Sequence, residues 1–191
     1  MANSQNPSNT TALVLVDVIK TFFRPGAALH YDHVGDVVPA LGRLLDAARA
    51  SETLVVHAAE RHQPGLADFE HQKIPPHCMV DDPDSDFFDR FRPDGPREVL
   101  VPKRRYSAFF ATDLALLLRE QGVEQVVVAG VKTNVCIRAT IQDGFAHGFR
   151  MVLPRDATNS NRPHLAEASL EDIDRYFGWV VDLDTAVEAL S

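Results

Sequence analysis

QVVVAGVKTNVCIRATIQDGFAHGF, residues 125–149, decides the fold. Its first six residues, QVVVAG, form a β-branched run without polar alternation, as a strand buried on both faces requires. The turn GVKTN follows, and residues 134–147 then read as a helix. The same order recurs on either side. TALVLVD (11–17) and TLVVHA (53–58) read as strands, with shorter ones at Glu98 to Val101, Arg150 to Leu153 and Trp179 to Val181. From Gly35 to Ala50 the positions Val37, Val38, Leu41, Leu44, Leu45 and Ala48 follow the i, i+3, i+4 spacing of an amphipathic helix, with Pro39 tolerated in its first turn. Thr112 to Gln121 reads as a helix with Thr112 as N-cap and Gly122 past its end. Residues 163–177 and the closing DTAVEAL read as two more. Strand–helix alternation within one domain specifies an α/β fold: a parallel sheet with helices on both faces, three layers in all.

Composition bounds what such a domain does. The 191 residues suit a single domain, expected over 11–191 after a polar, disordered arm, MANSQNPSNT (1–10). That arm has no basic n-region and no apolar h-region, so it does not read as a signal peptide. A net charge of −8 with no basic stripe excludes general nucleic-acid binding. No apolar run reaches the roughly 18 residues that cross a bilayer. Two cysteines, Cys78 and Cys136, and no CxxC argue against a disulfide framework and for a reducing, cytoplasmic setting. Residues 59–96 are proline-rich, acidic and aperiodic, the signature of a functional loop or lid.

In a doubly wound sheet, ligands bind beyond the carboxyl ends of the strands. Three reactive groups stand at such ends. ALVLVD ends in Asp17, EVLVPK ends in Lys103, and the turn after VVVAG carries Cys136 to the start of the next helix. Each has a plainer reading: a turn carboxylate, a solvated lysine, a small buried thiol. Together they read as a nucleophile with a base and a cation. A helix N-terminus and a neighbouring ammonium are expected to depress the pKa of Cys136. Asp17 is placed to take its proton and return it to a leaving amine.

These residues resemble the isochorismatase-like cysteine hydrolases, a superfamily that includes nicotinamidase, N-carbamoylsarcosine amidohydrolase, ureidoacrylate amidohydrolase and biuret hydrolase. The resemblance runs from about Thr11 to Leu190. It rests on the Asp-ended first strand, KRRYSAFFATDL, and GVKTNVC with the A-T-x-x-D-G-x-x-x-G-F that follows. It implies a six-stranded parallel sheet of Rossmann-like topology and an Asp17–Lys103–Cys136 triad. It also implies a cis peptide at Val131–Lys132 and an oxyanion hole from the backbone N–H groups of Lys132 and Cys136. The implied reaction cleaves the C–N bond of a small linear amide or ureide, of biuret or carbamoyl type, through a thioester. A homodimer or homotetramer is expected, and no cofactor. The first motif departs from the family's D-M-Q-x-D-F, reading Asp17-Val18-Ile19-Lys20-Thr21-Phe22.

Nicotinamidases carry an Asp-x-His metal site after the second strand with a further His a few residues on. Here Glu60 and His62 fall near those positions, but His71 is nine residues beyond His62. The segment H-x-x-E-x-H-x-P-x-L-x-D more closely resembles biuret-type hydrolases, which need no metal. Phe22, Glu60, His62, Phe109 and Asn134 are expected to line the substrate pocket, with Asn134 also a candidate helix cap. A metal-dependent nicotinamidase and a catalytically idle binding member of the fold are the alternatives.

Overall fold

The computed structural model describes residues 10–191, so the expected N-terminal arm falls, but for Thr10, outside the described residues. In chain order the elements are β1 (Thr11–Val16), α1 (Lys20–Phe23), α2 (Val38–Ala50), β2 (Leu54–Glu60), β3 (Glu98–Lys103), α3 (Leu114–Glu120) and β4 (Gln125–Val131). They continue with α4 (Arg138–Ala146), β5 (Arg150–Pro154), β6 (Thr158–Asn159), α5 (Pro163–Asp172), β7 (Trp179–Val181) and α6 (Leu183–Glu188). The strands are all parallel, in the order β3-β2-β1-β4-β5-β7. The two-residue β6 is a seventh strand. β5 covers the edge of β4 only at Gln125–Val127, and β6 takes over at Gly130–Val131.

Burial on both faces explains the unbroken apolar strands. Along β1, Leu13 and Leu15 enter one core with Leu41, Leu44 and Leu45 of α2. Ala12, Val14 and Val16 enter the other with Leu114 and Leu118 of α3, Ile141 of α4 and Leu170 of α5. Each such leucine contributes roughly 1.5–3 kcal/mol when removed from water. Both faces of β1 are therefore committed, and a one-residue slip of register would exchange the two sets.

Several boundaries differ from the sequence reading. β2 and β3 each run two residues further, to Glu60 and Lys103, paired in register. A four-residue helix, α1, forms where the sequence reads as loop. α3 begins at Leu114 rather than Thr112, because the Thr112 hydroxyl turns back to donate to Ala108 O at 2.6 Å. The helix after β4 opens as a π-helical turn, Thr133–Ile137. Residues 61–97 are not a detached lid. His62, Glu70, His77, Cys78, Ser85 and Phe91 are buried, and the Thr21 hydroxyl donates to Asp84 O at 2.8 Å. This segment packs down on α1 and the ends of β2 and β3.

Candidate active site

Parallel strands deliver their carboxyl ends to one rim. Val16 of β1 is level with Ala58 of β2 and Gly130 of β4, while Glu60 of β2 is level with Lys103 of β3. Asp17 leaves β1 in a left-handed conformation (φ 55°). Its amide donates to Ala58 O at 2.8 Å, and its Oδ1 accepts from Glu60 N at 2.8 Å. The carboxylate is thus held across the end of β2. Gly130 allows β4 to close against β1. A Cβ there would stand 2.1 Å from Val16 O, and its φ of +123° suits only glycine. Immediately after it, the Val131–Lys132 peptide is cis. Lys132 O then accepts from Val135 N at 3.0 Å and Ile137 N at 3.2 Å, forming the wide turn that carries Cys136.

The three sequence-predicted groups meet. Lys103 Nζ lies 2.8 Å from Asp17 Oδ2 and 3.7 Å from Cys136 Sγ. It also donates to Arg105 O at 3.2 Å and lies 3.9 Å from Glu60 Oε2. Oxygens of Asp17 and Glu60 and the sulfur of Cys136 all lie within 4.8 Å of one another. Asp17 and Lys103 are fully buried and Cys136 is 3% exposed. A groove of about 450 Å³ lined by Thr133, Thr158, Asn159 and Ser160 adjoins the thiol-bearing turn. A wider one, about 770 Å³ beside Glu167 and Asp174, lies away from the triad.

Burial sets the protonation. It opposes the charge on Lys103, but Asp17, Cys136 and Glu60 outweigh it and raise the ammonium above its usual pKa. For Asp17, burial wins over Lys103 and pushes the carboxyl up. Burial likewise pushes the Cys136 thiol up against the pull of Lys103, with Asp17 and Glu60 adding to the rise. The expected depression of the thiol pKa therefore does not hold. With two carboxylates and one ammonium already enclosed, a resting thiolate would be the second unbalanced anion. Cys136 rests as a thiol in the same enclosure as Asp17 and Lys103.

A second cluster adjoins the first through Glu60. His62 Nδ1 is 2.9 Å from Asp68 Oδ2, and His62 Nε2 is 3.1 Å from Glu60 Oε1. His77 Nδ1 donates to Pro75 O at 2.9 Å, which leaves its Nε2 facing Glu60 and Glu70 at 3.6 and 3.8 Å. One donor atom each from Glu60, His62, Glu70 and His77 lies within 4.8 Å of the other three, and all four residues are buried. Neither buried oxygen of Glu70 meets a hydrogen-bond partner. Those orphaned oxygens, and two imidazoles whose other nitrogens are already engaged, suit a divalent cation. Spacing in the sequence hid this set. Cys78 O accepts from His62 N at 2.9 Å, and Val80 N donates back to His62 O, so the chain folds His77 onto His62 across 15 positions.

An Isochorismatase domain model matches residues 11–185. The chain belongs to the isochorismatase family. It is 36% identical over 184 residues to the maleamate amidohydrolase of Pseudomonas putida, covering 94% of this chain and 86% of that one. The isochorismatase-like hydrolase of Alkaliphilus metalliredigens superposes with a TM-score of 0.87 at 30% identity, over 95% of this chain and 99% of that chain. The zinc complex of the Pyrococcus horikoshii pyrazinamidase gives 0.81 at 29% identity, over 91% and 99%. The family's hydrolase fold is thus the fold of this chain, and among the described residues no helix is long and apolar enough to cross a membrane.

The other predicted positions divide. Phe22 is buried in the α2-side core with its ring 5.9 Å from Lys132 Nζ. Glu60 joins the two clusters. His62 lies wholly inside rather than at a pocket mouth. Phe109 is not a pocket wall. It stacks on Phe149 at 5.8 Å and packs beside Gly144, about 12 Å of helix beyond Cys136 at 1.5 Å per residue. Asn134 caps no helix, since its Oδ1 accepts from Ser160 Oγ at 2.6 Å. Cys78 is buried among the α2-side apolar residues, where burial pushes its thiol up.

Proposed function

We propose that the protein is a cysteine amidohydrolase that cleaves the C–N bond of a small linear amide or ureide. One observation carries the reading: Lys103 Nζ stands 2.8 Å from Asp17 and 3.7 Å from Cys136, on the rim where this fold binds ligands. The maleamate amidohydrolase relative, named for amide cleavage, supports the same bond class.

The proposed steps use the groups gathered at this rim. As the Cys136 sulfur attacks the carbonyl carbon, its proton passes to Asp17, and the carbonyl oxygen takes the electron pair. The N–H groups of Lys132 and Cys136 stabilise that oxyanion. Lys103 offsets part of the enclosed negative charge. Asp17 then gives the proton to the leaving nitrogen, the C–N bond breaks, ammonia or an amine departs, and a thioester remains. Asp17 next takes a proton from water as the water attacks. Collapse releases the acid and restores the thiol. A homodimer or homotetramer completes the proposal. The test is ammonia release from a panel of small amides and ureides: turnover by the native protein and none by Cys136→Ala supports it, and equal rates contradict it.

The orphaned Glu70 oxygens favour a metal-dependent version of the same reaction. Glu60, His62, His77 and Glu70 would hold the ion, and a divalent cation there supplies a Lewis-acid centre beside the triad. Elemental analysis before and after chelation decides it. About one equivalent of metal, lost together with activity, supports this version; a metal-free protein of full activity eliminates it.

A further inference from the structure

Lys132 is an ammonium without an acid. It is half-buried at the cis peptide, and among the described residues no carboxylate forms an ion pair with it. Its Nζ lies 5.0 Å from the Tyr31 ring centroid and 5.9 Å from that of Phe22. Both rings are buried, and Tyr31 is fixed by a 2.7 Å hydrogen bond from its hydroxyl to Asn159 Oδ1. The field at this ammonium includes a second cation, Arg162, and the neutral Cys136 thiol offers it no counter-charge. Burial and Arg162 both disfavour its charge. Aromatic faces offset part of that cost, but a half-buried cation in a chain of net charge −8 ordinarily finds an acid.

We infer that Lys132 binds the carboxylate of the substrate, which makes the preferred substrate an amide that also carries a carboxylate a few bonds from the scissile carbonyl. This rests on the amidohydrolase reading and narrows it. A neutral ureide would leave the ammonium as unmatched as it is now. An amic acid neutralises it as it enters, at the end of the turn whose other end presents the thiol. The two aromatic rings wall the short carbon chain between the charge and the carbonyl. The backbone of Lys132 serves the oxyanion while its side chain selects the substrate, so the two roles separate in a side-chain variant.

The experiment compares kcat/KM for an amic acid and an uncharged amide of equal length, in the native protein and in Lys132→Met and Lys132→Arg. A charge-assisted contact of this kind is worth about tenfold or more. The native protein is expected to prefer the amic acid, Lys132→Met to lose that preference about tenfold or more through KM, and Lys132→Arg to retain part of it. An unchanged ratio in Lys132→Met overturns the inference. A dicarboxylate such as succinate should also slow alkylation of Cys136 by iodoacetamide in the native protein but not in Lys132→Met. If neither amide is hydrolysed, the amidohydrolase reading fails, while the protection assay still decides the role of the lysine: equal protection in both proteins refutes it.

Discussion

Two buried charge clusters share Glu60, and they are built in opposite ways. The triad stands on strand ends. Its register is set by the ladder that pairs Glu60 with Lys103 and Val16 with Gly130, and its ion pair closes to 2.8 Å. The histidine cluster hangs from a long aperiodic segment, and Glu70 in it has its nearest cations at 3.7 and 3.8 Å. The first closes on a short ion pair between strand ends, while the second leaves its Glu70 carboxylate at long range from its cations. A rigid rim can hold an uncommon protonation state, with a thiol and a carboxyl both pushed up by burial. A loop can bring many donors together but needs something further to satisfy them.

The comparison breaks first at the triad. Removing the nucleophile in Cys136→Ala is expected to abolish turnover, a loss of at least about 10⁴-fold measured as ammonia release. The fold should persist, since a small buried side chain is replaced by a smaller one. Asp17→Asn removes the proton carrier and is expected to cost about 10²–10⁴-fold in kcat. A loss below tenfold would remove Asp17 from the mechanism. Next comes pH. Asp17 accepts a proton only as carboxylate, and burial raises its pKa. Activity therefore falls on the acid side through a midpoint above the ordinary carboxylate value of about 4. Because Asp17 and Cys136 are coupled, that midpoint belongs to the pair.

Smaller effects sharpen the contrast between rim and loop. Gly130→Ala forces a Cβ against Val16 O and is expected to cost about 1–3 kcal/mol, read as a lower melting temperature together with impaired turnover. Full stability would show that β1 and β4 need not close so tightly. Glu70→Gln divides the two accounts of the loop. In a metal-binding protein it lowers metal affinity, measured by competition with a chelator. In a metal-free one it removes a buried carboxylate whose ion pairs are long, 3.7 Å to Arg105 and 3.8 Å to His77, and leaves stability equal or higher.

The rim was legible because hydrophobic runs mark strands, and in a parallel sheet the residues that end them share one edge. That placement brought Asp17, Lys103 and Cys136 to one rim, and the resemblance of the surrounding motifs named them as a triad. Phe109 failed the same logic. It follows Lys103 by six residues, and an apolar side chain next to a site enters whichever core is nearer, here that of Phe149 and Gly144. The protonation of Cys136 was misread because a helix start is local while burial is global. His77 was invisible because nothing in the spacing of 59–96 says which residues the segment folds back upon.

The central claim is covalent: the acyl group passes through the sulfur of Cys136. Native protein mixed with excess amide, quenched in acid during turnover and digested, is read by mass spectrometry. The account predicts that the Cys136 peptide gains the mass of the substrate less ammonia or its amine, with the Cys78 peptide unchanged. Steady ammonia release with no acyl mass on Cys136 at any time, or an equal mass on Cys78, would contradict it.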